Sequence, residues 1–463
     1  MSPSPASSAV PSGPTATTPP PGTTESSGRD LLEDSRLSSF HRRLTVYSAG
    51  GPFLDGLILG AIGVALTQLG PKWNLGGVWE GLLAAAALLG LLVGGTVFGF
   101  VTDRFGRHIM YTIDLAAIVV FSVAQAFVSG PEQLLVLRFL IGIAVGADYP
   151  IATSLLAEFS PRKHRGAMLG VLTVMWSLGS AAAYLLGDLL LKLGPDGWRW
   201  LLACPAVPAA VLVLMRMGTP ESPRWLLSQG RVEEAQAVMR KVFGPGASVA
   251  DLGTPAEPAR FTAVFRGAYG RRTVFVSVFW ACSVMPIYAI YAFGPQLLTA
   301  MGLAGEDSSN LGSGVISLVF LAGCVAFLPL LGRYGRRPLL IVSFAAATVP
   351  LLLLGFFPDL SPAPTGLLFA VYAIAIGGPT LLQWIYPNEL FPTGFRATAV
   401  GIGTGFSRVA AAAGTFLTPI ALGQWGVGPT LLLAGGVSLV GTLVSVALAP
   451  ETRGVSLESS SAA

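Results

Sequence analysis

Ionisable residues that stand alone inside long apolar stretches are the side chains of this chain that could do chemistry. Asp55 lies in FLDGLILGAIGVAL, while Arg138 and Asp148 share the run RFLIGIAVGADYPIATSLLAE. A charged group in such a stretch is costly to keep, so function is the expected explanation for it. A buried carboxyl can bind and release a proton, because burial disfavours its charged form. We therefore predict that Asp55, before Asp148, carries a coupled proton, and that Arg138 belongs to the same proton-coupling group. The alternative is a structural pairing of Asp55 with Arg138.

Arg408 is the most isolated of these residues. Eleven uncharged residues precede it and fourteen follow it in ATAVGIGTGFSRVAAAAGTFLTPIAL. On a helix its head lies about 16 Å from the nearer end of this stretch, at about 1.5 Å per residue. Keeping a cation there costs at least about 2.5 kcal/mol. Because the guanidinium fork can bind a carboxylate through two hydrogen bonds, we predict that Arg408 binds an anionic substrate. The alternative is a structural pair with Asp55 or Asp148.

Aromatic and amide side chains near these charges are further candidates for substrate contact. We select Trp280, Tyr288 and Gln383, because an amphipathic ring can both stack on an organic molecule and form a hydrogen bond. Simple packing of these residues is the alternative. The three histidines all lie outside the apolar stretches, so a carboxylate must carry any coupled proton.

Composition identifies the solvent of these stretches as lipid. The 463 residues are 52% hydrophobic and only 11% charged, with a mean hydropathy of +0.67. Soluble proteins carry about 25% charged residues. The three cysteines show no paired or metal-ligand spacing, and no pair of nucleophile and base occurs in the apolar stretches. We therefore expect neither an enzyme nor a cofactor, and no nucleic-acid partner for the net charge of +4.

The gaps between charges predict twelve membrane-spanning helices, because about 20 apolar residues suffice to cross a bilayer. The predicted spans are 46–69, 81–102, 109–130, 134–157, 167–187, 200–215, 274–300, 312–331, 338–357, 365–387, 397–422 and 430–449.

The spans divide the chain into two halves. We predict a disordered tail over residues 1–40, a first half over 41–215, a partly helical linker over 216–272, a second half over 273–450 and a tail over 451–463. Short cytoplasmic loops retain Lys and Arg, whereas loops on the outer side of a membrane contain few. With the N-terminus inside, the outer loops contain only Lys72, Lys192 and Arg199. Both termini, the linker and both tails are therefore expected to be cytoplasmic.

The two halves are copies of one unit. Gly106 and Arg107 recur 229 residues later as Gly335 and Arg336, and Pro150 recurs at the same interval as Pro379. Two parallel halves with a binding site between them are the architecture of alternating access.

The loop motifs resemble those of the major facilitator superfamily. They are GFVTDRFGRH after the second span, GRYGRR after the eighth, EFSPRKHRG after the fourth, PESPRWL after the sixth, NELFPTGFR after the tenth and PETRGVSLE after the twelfth. The resemblance covers residues about 45–458. It implies an all-α membrane protein of twelve helices in two parallel six-helix halves.

Charges in these motifs are expected to close the inner side of the transporter as a conformational latch; a purely topological role is the alternative. The latch residues are Asp103, Arg104, Arg107, Glu158, Arg165, Arg333, Glu389 and Arg396. The second half has Gly332 where the first has Asp103, so the predicted latch is asymmetric.

The motifs differ in the substrate they favour. PESPRWL resembles sugar porters, but the paired glutamine and the asparagine of their seventh span are missing from FWACSVMPIYAIYAFGP. FLDG and ADYP resemble metabolite:proton symporters, and FSRVAAAAG resembles nicotinate-type carriers. We therefore expect a monomer in the cell membrane that imports a small organic anion with protons. The alternatives are a sugar or polyol porter, a drug exporter and a membrane sensor that does not transport.

Overall fold

A computed structural model describes residues 37–105, 107–159, 162–216, 220–252, 264–305, 308–391 and 396–452. Within these ranges the regular structure is helical and contains no strand. Helices satisfy every backbone hydrogen bond internally, as a chain in lipid requires. The expected all-α architecture is confirmed.

The described residues contain sixteen α-helices. In order they are α1 Ser39–Trp73, α2 Gly77–Phe105, α3 Arg107–Gln125, α4 Pro131–Phe159, α5 Arg162–Leu191, α6 Gly197–Ala203, α7 Ala206–Arg216, α8 Pro223–Ser228, α9 Val232–Phe243, α10 Gly267–Ala300, α11 Ser309–Tyr334, α12 Arg336–Phe356, α13 Pro362–Ala375, α14 Gly377–Leu390, α15 Arg396–Trp425 and α16 Val427–Leu448.

These helices form twelve spans, because α6 with α7 and α13 with α14 each make one interrupted span. Ten described spans are long and apolar enough to cross a membrane by themselves. The apolar part of α3 is shorter, Thr112–Gln125. Large apolar side chains such as Val120, Phe127 and Leu214 are exposed on the outside of the bundle, which is the arrangement expected in lipid.

The first half contains α1–α7 and the second contains α10–α16. Within the halves, α1 packs on α5, α2 on α4, and α10 on α15. Between the halves, α2 packs on α15, α5 on α11 and α1 on α10. The helices α8 and α9 lie in the predicted linker, and Phe243 of α9 stacks on Phe159 of α4. The linker helix therefore packs on the first half.

Three boundaries differ from the sequence prediction. Helix α1 begins at Ser39, inside the predicted tail 1–40, and α10 begins at Gly267, inside the predicted linker 216–272. Arg216, assigned to the hydrophilic linker, is the last residue of α7 and is buried. Its guanidinium binds Asp148 of α4 and the carbonyl oxygen of Tyr47 of α1. These two partners retain the charge inside the bundle.

The halves meet closely on the side of the bundle at which α1 ends, here called the far side. The side at which α1 begins and α16 ends is called the terminal side. A Cβ atom added to Gly63 of α1 would lie only 2.5 Å from the carbonyl oxygen of Ala292 in α10. A side chain at Gly81 would likewise overlap the carbonyl oxygen of Phe416. The far side is therefore closed by backbone contacts that only glycine permits.

Candidate functional site

Four buried side chains form a connected set at the interface between the halves, here called the central cluster: Asp55, Trp176, Tyr288 and Arg408. Trp176 donates its indole N–H to Oδ2 of Asp55 at 2.9 Å. Arg408 donates from Nη1 to the Tyr288 hydroxyl at 2.6 Å. The rings of Trp176 and Tyr288 meet edge to face with centroids 5.5 Å apart. The cluster thus connects a carboxyl of the first half to a guanidinium of the second.

Close packing of α1 on α5 holds the first pair. A side chain at Gly56 would overlap the backbone of Trp176, and one at Gly179 would overlap the carbonyl oxygen of Phe53. Because both glycines lack a Cβ atom, the two helix backbones approach each other directly. This approach brings the Trp176 indole within hydrogen-bonding distance of Asp55, which is completely buried.

The second pair depends on the packing of α10 on α15. Gly403 of α15 provides space for the ring of Trp280, whose own edge meets the ring of Trp384 with centroids 5.1 Å apart. Two turns further along α10, Tyr288 reaches Arg408. Trp280 is completely buried, so it lies behind the central cluster as packing in the state described.

Arg138 and Gln383 are buried but do not belong to the chain of contacts that forms the cluster. Arg138 is buried, donates from Nη1 to the carbonyl oxygen of Ile58 at 3.0 Å, and is attracted electrostatically by Asp55. Gln383 is buried on α14 next to Trp384, and its Oε1 has no hydrogen-bond donor among the described residues. Both were predicted as site residues, and both are placed near the interface.

Asp148 lies outside the central cluster. Its Oδ1 forms an ion pair of 2.6 Å with Nη1 of Arg216, and both side chains are almost completely buried. Asp148 is therefore paired within the first half, and it is not the partner of Arg408.

The structure describes only two of the predicted latch side chains. Glu389 forms an ion pair of 2.8 Å with Arg336 and accepts a hydrogen bond from Thr452, both in its own half. Arg333 is exposed at the end of α11. The side chains of Asp103, Arg104, Arg107, Glu158, Arg165 and Arg396 lie outside the described part of the chain.

Three buried charged residues escaped the sequence analysis. Asp114 is buried on α3, Asp188 on α5 and Arg216 at the end of α7. Asp114 stands alone in the apolar run IDLAAIVV, so the criterion that selected Asp55 would also have selected it. Arg216 had no such signal, because it adjoins the hydrophilic linker. No group of three His, Cys, Asp or Glu residues in the described ranges could hold a metal ion.

Comparison with known proteins now identifies the family. The family described as "Sugar (and other) transporter" matches residues 45–463. YaaU of Escherichia coli (strain K12) is 46% identical over 93% of this chain and 96% of its own length. The inner membrane metabolite transport protein YgcS of the same organism is 39% identical over 92% of this chain and 95% of its own. The chain belongs to the sugar (and other) transporter family.

The fold agrees with this membership of the major facilitator superfamily. The transporter resembles the xylose transporter XylE of Escherichia coli in its partially occluded inward-open conformation, with a TM-score of 0.77 and 21% identity. The match covers 90% of this chain and all of that one. The predicted resemblance and the all-α fold of the major facilitator type are confirmed, and the relatives named above are transport proteins. The protein is a membrane transporter of a small molecule.

Proposed function

We propose that this transporter imports a small organic anion together with protons by alternating access. In this proposal it works as a monomer in the cell membrane with both termini in the cytoplasm. The observation that carries the proposal is the central cluster, which joins the buried carboxyl of Asp55 to the buried guanidinium of Arg408.

Arg408 is assigned to the anion. It is 3% exposed on α15 and already donates to one oxygen, the hydroxyl of Tyr288. A phenol can accept one hydrogen bond and donate another, so Tyr288 can accept from Arg408 and donate to a bound carboxylate. Hydrogen bonds to charged groups in a dry site are worth about 1.5–3 kcal/mol each. Two such donors would bind a carboxylate and discriminate against a neutral molecule.

Asp55 is assigned to the proton. Its Oδ2 accepts from Trp176, and Arg138 attracts it electrostatically. Substrate that moves Tyr288 would press on the ring of Trp176, because the two rings are in contact. Any shift of Trp176 changes the hydrogen bond to Asp55 and with it the preference of the carboxyl for its proton. The halves could couple anion and proton through this ring contact.

A binding panel tests the substrate class. We expect benzoate or nicotinate, and not xylose, myo-inositol or phosphate, to raise the thermal unfolding temperature of the purified transporter, since a ligand of the native state stabilises it. Arg408→Ala should weaken anion binding about tenfold to a hundredfold, the equivalent of about 1.5–3 kcal/mol. Arg408→Lys should recover only part of this loss, because a lysine lacks the planar fork. Arg199→Ala is the control, since Arg199 lies at the start of α6 on the far side, away from the central cluster.

A structural role for Arg408 has a distinct outcome. If Arg408 only balances the charge of Asp55, the double variant Arg408→Ala with Asp55→Asn should bind the anion as tightly as the wild type. Normal affinity in the double variant would contradict the anion assignment.

A sugar or polyol is the second candidate substrate. The major myo-inositol transporter IolT of Bacillus subtilis (strain 168) is 29% identical over 91% of this chain. Stabilisation by xylose or myo-inositol alone would replace the organic anion by this class. The buried residues of the described ranges include three amide side chains, those of Gln125, Asn310 and Gln383, and a sugar needs several such groups at one place to satisfy its hydroxyls.

We also propose that Asp103 and the other predicted latch residues stabilise the closed terminal side without touching substrate. Asp103→Asn should change turnover and the ratio of the two open states while substrate affinity stays within about twofold, because a gate shifts populations and not contacts. Spin-label distances across the terminal side would measure that ratio. A loss of affinity at an unchanged ratio would contradict a latch.

A further inference from the structure

A second group of buried charges lies on the terminal side of the first half. It consists of Asp114 on α3, Asp148 on α4 and Arg216 on α7, which are 3%, 2% and 1% exposed. Neither Asp114 nor Arg216 has a role in the function proposed above. We call Asp114 and Asp148 the inner carboxyl pair; Arg216 is the arginine beside them.

The two carboxyl groups interact where α3 packs on α4. Asp148 acts on Asp114 both through its charge and as a hydrogen-bonding side chain. Oδ1 of Asp148 binds Nη1 of Arg216 at 2.6 Å, and Oδ1 of Asp114 accepts the backbone N–H of Leu115 at 2.6 Å. The second oxygen of each carboxyl, Oδ2, has no hydrogen-bond donor among the described residues. A proton held between the carboxyls would supply the missing donor.

The balance of charge among Asp114, Asp148 and Arg216 also calls for one bound proton. Among the described side chains, the charged groups that act on Asp114 are Asp148 and Arg216. Two ionised carboxyls and one guanidinium would leave a net negative charge in a buried site. Two carboxylates in contact cannot both remain ionised, because their repulsion is not screened by water. One proton makes the group of three neutral.

Among the described side chains, no further titratable group on the neighbouring helices acts on Asp114. From α1 the facing groups are the carbonyl oxygen of Tyr47, which accepts from Arg216, and Gly51. A side chain at Gly51 would overlap Oδ2 of Asp148, so the glycine is what allows the carboxyl to lie against α1. From α2, Gly95 faces Gly146 of α4. On the described part of α1, the Asp148 carboxyl therefore lies against the backbone at Gly51.

We propose that Asp114 and Asp148 form a proton-binding site that holds one shared proton, neutralised by Arg216. All contributing helices belong to the first half, so the site stays assembled when the halves move apart. Gly51 precedes Asp55 by four residues and therefore shares its face of α1, one turn nearer the terminal side. The shared proton is separate from the proton of Asp55, and the proposal does not depend on the substrate.

Infrared spectroscopy of the purified transporter at neutral pH tests the site, because a protonated carboxyl has a carbonyl stretching band that a carboxylate lacks. We expect this band in the wild type and its loss in Asp114→Asn, which leaves one carboxylate paired with Arg216. The neutral asparagine imitates the protonated acid, so this variant should fold. Asp188→Asn is the matched control, since Asp188 is also in a span but pairs with Lys192 at 2.7 Å and not with a second carboxyl.

Two further variants keep the test decisive. Asp55→Asn separates the two proton sites, and the band assigned to the pair should remain in it. Arg216→Gln should gain intensity in the same band, because without the guanidinium both carboxyls must be protonated to remain buried. A wild type without the band, or a band that persists unchanged in Asp114→Asn, would overturn the proposal. So would a band that disappears only in Asp55→Asn.

Discussion

The two halves descend from one unit but differ in their buried charges. In the first half the described buried acids and arginines are Asp55, Asp114, Arg138, Asp148, Asp188 and Arg216. In the second half Arg408 is the one such residue among those described, and it contacts the hydroxyl and the ring of Tyr288. The contrast indicates a division of labour in which the first half handles protons and the second half binds substrate.

The internal repeat shows this divergence at a single contact. Asp114 and Asp148 correspond, 229 residues further on, to Ser343 and Gly377. In the second half the Ser343 hydroxyl lies where a side chain at Gly378 would be, and it donates to the carbonyl oxygen of Leu339. The same crossing of two helices is therefore neutral in one half and acidic in the other. The helix contact belongs to the fold, while the charges were added in one copy.

The largest expected effect comes from the carboxyl of the first half. Asp55→Asn should abolish uptake driven by a pH gradient and retain exchange of substrate across the membrane, because the asparagine cannot release a proton. Uptake into proteoliposomes with and without a gradient measures both activities. Asp188→Asn should keep coupled uptake, since its carboxyl pairs with Lys192 on the same helix. Wild-type uptake that ignores the gradient and protonophores would remove proton coupling altogether.

At the ring contact between the halves we expect two smaller effects, one on anion affinity and one on the number of protons moved. Tyr288→Phe should weaken anion binding about two- to tenfold, the loss of one hydrogen bond of about 0.5–1.5 kcal/mol. Trp176→Phe should keep anion affinity but reduce the number of protons moved per substrate, because it removes the donor to Asp55. Binding assays and proton-to-substrate ratios in proteoliposomes distinguish them. Equal losses of affinity in both variants would break the division of labour.

The far side offers a test of the interface without altering charge. Gly63→Ala should disfavour the closed far side by about 1–3 kcal/mol, because the new methyl group meets the carbonyl oxygen of Ala292 in a close-packed contact. Distances between spin labels across the far side should increase. Gly76→Ala is the control, since no atom lies within 4 Å of its added Cβ. An unchanged distance distribution in Gly63→Ala would show that this contact does not limit opening.

The smallest effect is expected at Asp196, in the loop before α6. Hydrogen bonds from Lys72 and then Arg199 lower the pKa of Asp196 below its ordinary value. A lowered carboxyl pKa adds stability above the ordinary pKa, and this stability is lost as the pH falls through the lowered value. Exposed ion pairs contribute little, however. Asp196→Asn should leave the thermal unfolding temperature at neutral pH unchanged within error, and a clear decrease there would contradict this reading of the loop.

Much of the architecture could be predicted from the sequence, because lipid imposes a strict rule on it. Only helices of about 20 apolar residues satisfy the backbone in a bilayer, so charge gaps locate the spans and repeated motifs reveal the halves. The same rule makes isolated charges conspicuous, and it selects Asp55 and Arg408 from the sequence alone. Asp114 meets the same rule, because it also stands alone in an apolar stretch.

What the sequence could not determine is which charges meet. The sequence suggested Arg408 as a partner of Asp148, but the fold brings Arg216 to it, because α7 packs on α3 and α1 beside α4. Trp176 and Tyr288 lie 112 residues apart and are joined by the interface between the halves. Spacing along one helix determines a shared face, but contacts between helices depend on where glycines let backbones approach, and that is a property of the assembled bundle.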